Sequence, residues 1–392
     1  LPFLGSVSVL WALFVEKVPL PDLLRGLRRE HGPLLLLQTG PVRQVWVGSE
    51  EVLRQVYELP GCCGRPASFE DPFGNFLFLT KEPGQAAAIK AAQRAWLEAN
   101  INAPAVSAAV DGAMPPLWRA LDDGGHRGWP AEAVKSAMYG AVTTALLGKA
   151  GVMSDDELVD FMGAVTEYTE MRTKSKLGNK KDDKPEPPPG SVRIKEVLLG
   201  AMSRAGRSDA DVALPLMVAA SIGGAEIFPT LLHWVFLYFA AHPSCQEAAA
   251  RAAEAKDQRE LMRLLYRVLR RTAYSVALGP PRKILEDTEF QGMRLPEGAL
   301  LFAMHPALVD EALGAEPADD DDFSTYAFGV GPRACLGQLL TEALLPAAVG
   351  ALLGRYRVTA AASRWPLPRE LRGQLIYPVD PPALGWELRS AQ

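Results

Sequence analysis

From Asp209 to His242 the chain is apolar at nearly every position. A helix that is hydrophobic all round must be buried on most of its circumference. This stretch therefore predicts a central core helix, and it obliges the rest of the chain to supply a shell of helices around it. Pro215, the Gly223-Gly224 pair and Pro229 favour a local break or kink along it.

The flanking sequence supplies that shell. Helical periodicity of Ala, Leu, Val and Met dominates from about Ala86 to Gly223 and resumes, after one interruption, from Ser191 to about Arg271. The interruption, Thr173 to Gly190, is charged, rich in proline and has nothing to bury, so it reads as a flexible surface loop. Near the start, Leu34–Gln38 and Gln44–Gly48 are apolar runs around Thr39-Gly40-Pro41, a β-hairpin pattern. Ser49 before Glu50 and Glu51 reads as a helix start, with acids at the positive end of the dipole. After Arg271 the pattern shortens into strands and turns, and a last helix follows Cys335. The expected fold class is mainly α with small β-sheets, as one domain over residues 1–392.

A formal net charge of −5 gives no reason to expect nucleic acid as a partner. Four cysteines in 392 residues do not make a disulfide framework, and Cys62, Cys63 and Cys245 lack the spacing of a metal site. Val7 to Val15 is apolar but short of the roughly 20 residues that span a bilayer. It reads as the end of an anchor, a membrane-resting segment, or a helix packed on the body.

The most informative stretch is Phe328-Gly329-Val330-Gly331-Pro332-Arg333-Ala334-Cys335-Leu336-Gly337. Its early glycines let the backbone make a tight loop and approach a flat ligand closely. Arg333 suits an anionic group. Cys335 stands at the start of an apolar helix, where amide groups and the helix dipole stabilise a thiolate, as a metal-bound sulfur requires. Gly337 leaves room for a planar cofactor.

These residues match the signature FGxGxRxCxG, and the sequence resembles the cytochrome P450 family over nearly its whole length. The resemblance implies heme b with Cys335 as axial metal ligand and the loop residues Phe328, Gly329, Arg333 and Gly337 around the cofactor. Leu1-Pro2-Phe3-Leu4-Gly5, Arg65-Pro66, His242-Pro243 and Leu295-Pro296-Glu297-Gly298 are similar to family landmarks. Arg282, after Pro281, stands where the family has an Arg that reaches a propionate. Ile222-Gly223-Gly224-Ala225-Glu226 stands where the family's central helix crosses the heme. Glu226 and Ile227 then fall at the catalytic positions, and Ala225 and Phe228 at the substrate pocket. The implied substrate is an apolar small molecule such as a sterol, lipid or other secondary metabolite. An NADPH-dependent reductase is the implied partner. Location follows the anchor: membrane-associated and endoplasmic reticulum-like for a eukaryotic member, otherwise cytoplasmic.

Four departures accompany the resemblance. Glu226 is followed by Ile227, where oxygen-activating members carry a Thr hydroxyl, and Thr230 lies a turn further on. The helix motif ExxR reads Arg267-Val268-Leu269-Arg270, while a literal Glu260-Leu261-Met262-Arg263 sits two turns earlier and is expected at the surface. The meander between His305 and Phe328 is short. Ala87 and Ala91 occupy the places of a propionate-binding Trp and Arg, leaving Lys90 and Arg94 as electrostatic substitutes. Three readings remain open: a monooxygenase; a heme-thiolate isomerase or lyase acting on a lipid peroxide without reductase; and a degenerate, non-catalytic heme-binding member.

Overall fold

The computed structural model describes the chain except residues 1–8, 10, 13–14, 19, 40–41, 66–72, 75, 78–79, 81, 176–188, 272–280, 305–327, 361–364, 366, 373–374 and 390–392. Side chains are also outside the description at 20–21, 39, 169–175, 189, 222–226, 270–271, 369–372 and 375–376.

Helix α1 (Leu20–His31) leads into a hairpin of β1 (Leu34–Thr39) and β2 (Val42–Val47), then α2 (Glu50–Glu58). The helical body follows as α3 (Pro83–Asn100), α4 (Ala103–Ala113), α5 (Pro115–Asp123), α6 (Ala131–Leu147), α7 (Asp155–Ser175), α8 (Pro189–Arg204), α9 (Ala210–Ala241), α10 (Pro243–Glu254) and α11 (Gln258–Arg271). Short strands β3 (Arg282–Lys283), β4 (Thr288–Phe290), β5 (Met293–Leu295) and β6 (Leu300–Ala303) come next. Helix α12 (Gly337–Arg355) then precedes β7 (Tyr356–Ala360), β8 (Arg369–Arg372), β9 (Leu375–Pro378) and β10 (Leu384–Leu388).

The expected core helix is α9, and it packs against α3, α6, α8, α11 and α12. It runs as one helix through Pro215 and Pro229, so the expected break does not interrupt it. Packing on all sides over-determines the backbone where local propensity alone opens it. Its N-terminus is fixed to α3. Asp209 accepts hydrogen bonds from Trp96 Nε1 (2.5 Å) and Arg207 Nη2 (2.7 Å), while Arg207 Nη2 also donates to Asn100 Oδ1 at 2.9 Å. These ties hold Asp209 near pKa 2, chiefly through the Arg207 hydrogen bond.

The hairpin forms as expected, antiparallel from Leu34↔Val47 to Thr39↔Val42. It extends to a four-stranded sheet in the order β1-β2-β6-β3, with β2 parallel to β6 and β3 antiparallel to β6. Val45, Val47, Leu301 and Ala303 bury one face of this sheet against Val52, Leu53 and Val56 of α2. The apolar stripe on α2 thus fixes that helix, and the Tyr57 at its end, to the sheet carrying Arg282. The 173–190 segment is helical at both ends, since α7 reaches Ser175 and α8 starts at Pro189; its middle lies outside the described residues.

Candidate functional site

The loop from Phe328 to Cys335 is short and self-closing. Cys335 N–H donates to the Phe328 carbonyl at 2.7 Å, and a single 3-10 turn, Gly331–Arg333, lies between them. Cys335 then meets the first turn of α12, where Gly337 N–H donates to Sγ at 3.2 Å. A Cβ at Gly337 would itself sit 3.2 Å from that sulfur, so glycine is what lets the amide approach. The Cys335 side chain is exposed at the surface of the described residues. Desolvation by the protein around it pushes its thiol pKa up; the Gly337 amide, the Lys90 ammonium and the Gln338 amide pull it down. An electron-pair acceptor on the sulfur replaces the proton, and those three donors then face a thiolate.

Three cations tie the loop to the body, two through its own carbonyls and the third, Arg333, by reaching out of it. Arg282 is buried, 2% exposed, and donates from Nη2 to the Val330 carbonyl at 2.6 Å and from Nη1 to the Tyr57 carbonyl at 2.7 Å. Its guanidinium lies 3.5 Å over the centre of the Tyr57 ring. Lys90 of α3 donates to the Pro332 carbonyl at 3.1 Å and reaches that of Gly331 at 3.5 Å. Arg333 turns inward and donates to the carbonyls of Cys63 (3.0 Å), Thr80 (3.0 Å) and Leu77 (3.3 Å). Burial lowers the pKa of all three. Lys90 and Arg282 have no carboxylate partner among the described residues, so the region carries positive charge awaiting an anion.

Of the residues singled out in the sequence, Phe328, Gly329, Arg333, Cys335, Gly337, Arg282 and Lys90 come together here. Arg94 does not. It pairs with Glu98 at 2.8 Å in solvent, both side chains being more than half exposed, because its i+4 partner competes successfully for it. Phe228 is buried in the main core, and Ile227 packs against that core. The side chains of Ala225 and Glu226 lie outside the described residues. Glu260 pairs with Arg263 on its own helix at 2.6 Å through two bonds, and both are partly exposed. Tyr57 was not visible in the sequence as a site residue; its only signal was its place on the buried stripe of α2.

Residues 219–384 match the family described as Cytochrome P450. The fold agrees: a zebrafish cytochrome P450 with progesterone superposes with a TM-score of 0.72 at 17% identity, over 95% of this chain and 100% of that one. The chain is similar to cytochrome P450s in that region and shares their fold. Among curated relatives, the mitochondrial cholesterol side-chain cleavage enzyme of Hypanus americanus is 29% identical over 31% of this chain and 28% of that protein. Mitochondrial cytochrome P450 11B of Aquarana catesbeiana is 25% identical over 41% of this chain and 35% of that protein. The matched region spans about a third of the length of the curated relatives.

Cytochrome P450s are heme-iron proteins, and the donor set here fits that group. Cys335 offers one exposed sulfur, with the Gly337 amide 3.2 Å from it and the Lys90 ammonium close enough to lower its pKa. A Cβ at Gly329 would meet nothing within 4 Å, so the loop leaves space beside it. The unpaired charge of Lys90 and Arg282 suits the carboxylates that heme carries. Heme would be held by Cys335 at the start of α12, which packs against α9.

Proposed function

We propose that this protein is a member of the cytochrome P450 family and a heme-thiolate monooxygenase acting on an apolar small molecule of the sterol or lipid class, with electrons from an NADPH-dependent reductase. The observation that carries the reading is Cys335, set at the N-terminus of α12 with Gly337 N–H on its sulfur and a loop held by three cations. Bound at Cys335, heme would supply oxygen activation, with the thiolate ligand favouring O–O cleavage.

The chain's own residues bind, orient and exclude water. With iron bound, Gly337 N–H and the α12 dipole would stabilise the sulfur as thiolate. Lys90 and Arg282 supply positive charge for the carboxylates. Phe228, buried in the apolar core, and Ile227 keep this part of α9 dry. The substrate class draws support from two names, a cholesterol side-chain cleavage enzyme and a P450 with progesterone. Membrane association draws support from the exposed Trp11, Val15, Leu36 and Val42 near the N-terminus. Among the described residues only α12 is long and apolar enough to cross a bilayer, and half of it is buried in the core.

One observation favours a second reading. Ile227 carries no hydroxyl where an oxygen-activating member has one, which suits a substrate that brings its own O–O bond. Sterol turnover with NADPH and reductase, absent without reductase, is the expected result. Turnover of a fatty-acid hydroperoxide without reductase, and none of a sterol with it, would replace the first reading with the second.

A further inference from the structure

We propose that Tyr57 is the positioning residue of the cysteine loop, acting through Arg282. The inference rests on the reading of Cys335 as axial ligand.

On α11 the glutamate, Glu260, is taken up by Arg263 within one turn of the same helix. The described contacts to the loop come from elsewhere. Three consecutive carbonyls, of Val330, Gly331 and Pro332, each face a cation: Arg282 for the first, Lys90 for the other two. Lys90 hangs from a flexible stem. Arg282 does not, because both its terminal nitrogens and its flat face are engaged at once.

Tyr57 supplies two of those three engagements. Its carbonyl accepts from Nη1, its ring covers the guanidinium, and Nη2 is thereby aimed at Val330. The same carbonyl stands 2.7 Å from where a Cβ on Gly331 would lie, so Tyr57 also touches the loop directly. Both ends of the clasp are anchored. Tyr57 belongs to α2, packed on the sheet, and Arg282 opens β3, whose Lys283 bridges to Gly64. The Tyr57 hydroxyl has no hydrogen-bond partner among the described residues, so ring and carbonyl carry the role.

The test is alkylation of heme-free protein with iodoacetamide, read by mass mapping as the ratio of Cys335 to Cys245 labelling. Cys245, on α10, reports general loosening. Tyr57→Phe keeps ring and carbonyl and should leave the ratio unchanged. Tyr57→Leu loses the ring contact and should raise it about tenfold, the equivalent of a buried cation–π contact. Arg282→Lys loses the planar fork and should raise it at least as much. In heme-loaded protein, the reduced carbon monoxide spectrum should lose its thiolate band in the same order. An unchanged ratio in Tyr57→Leu and Arg282→Lys, parallel rises at Cys335 and Cys245, or a Phe variant as loose as Leu would overturn the clasp. If the labelling behaves as stated while wild type shows no thiolate band, the clasp stands and the heme-thiolate reading falls.

Discussion

Gly329 and Gly331 have almost the same backbone conformation, with φ of 69° and 71°, but very different surroundings. That pair allows the loop's packing to be weighed against its conformation. Alanine at either position takes on the left-handed penalty of about 1–2 kcal/mol. At Gly329 nothing lies within 4 Å of the new methyl, so the penalty ends there. At Gly331 the methyl meets the Tyr57 carbonyl oxygen at 2.7 Å and its carbon at 3.3 Å, both main-chain atoms that cannot rotate away. Relief requires moving a carbonyl that Arg282 holds at 2.7 Å. Overpacking of this kind costs about 1–3 kcal/mol, and a weakened bond to a charged group adds a share of its roughly 1.5–3 kcal/mol. Gly331→Ala should therefore cost about 2–3 kcal/mol more than Gly329→Ala. In a chain of 392 residues that difference amounts to roughly 2–4 °C in melting temperature. Thermal melts of both variants at one fixed heme saturation provide the assay. Equal melting temperatures, or a larger loss in Gly329→Ala, would refute the argument that the Tyr57 carbonyl abuts the loop.

Other outcomes follow from sites away from the loop. His233 is stacked on Trp129 at 4.8 Å, and burial lowers its pKa to about 4 from the ordinary 6.5. The unfolded chain then binds the extra proton first, so stability is full above pH 6.5 and falls by about 3 kcal/mol as pH drops towards 4. His233→Phe should flatten that slope in urea titrations run from pH 7.5 to 4.5. Asp209, held near pKa 2, stabilises above its unfolded value of 3.8 and loses that stability as pH falls below it. Its side chain is 37% exposed, so solvent screening limits the loss to about 1 kcal/mol, and Asp209→Asn should show a similar loss at neutral pH by denaturation. Gln246, 1% exposed, pairs with Val358 as a strand would, donating to its carbonyl at 2.8 Å and accepting from its N–H at 2.7 Å. Gln246→Leu leaves two buried main-chain groups without partners and should cost about 2–5 kcal/mol in chemical denaturation.

Much of this architecture is legible in the sequence because it is local. Unbroken apolarity fixes α9 to within a residue at each end, the hairpin is written in two apolar runs around Gly-Pro, and Glu50 opens α2 directly after Ser49. The cysteine loop is legible for the same reason, since its chemistry lies within ten residues. Its support is not. Tyr57, Arg282 and Val330 are far apart in the chain, and two of the three contacts use main-chain carbonyls, which carry no residue signature. The choice between Lys90 and Arg94 was equally hidden: helical spacing puts both on one side of α3, while only the structure tells which turn meets the loop. Glu98, four residues after Arg94, was the available hint.

The central claim is that Cys335 binds heme iron through its thiolate. The most direct test is the carbon monoxide difference spectrum of the reduced protein purified after expression with added heme. The account predicts a Soret band at the long-wavelength position of a thiolate ligand, abolished in Cys335→Ala and retained in Cys245→Ala. No bound heme, or a band where a neutral or histidine ligand places it, would contradict the claim.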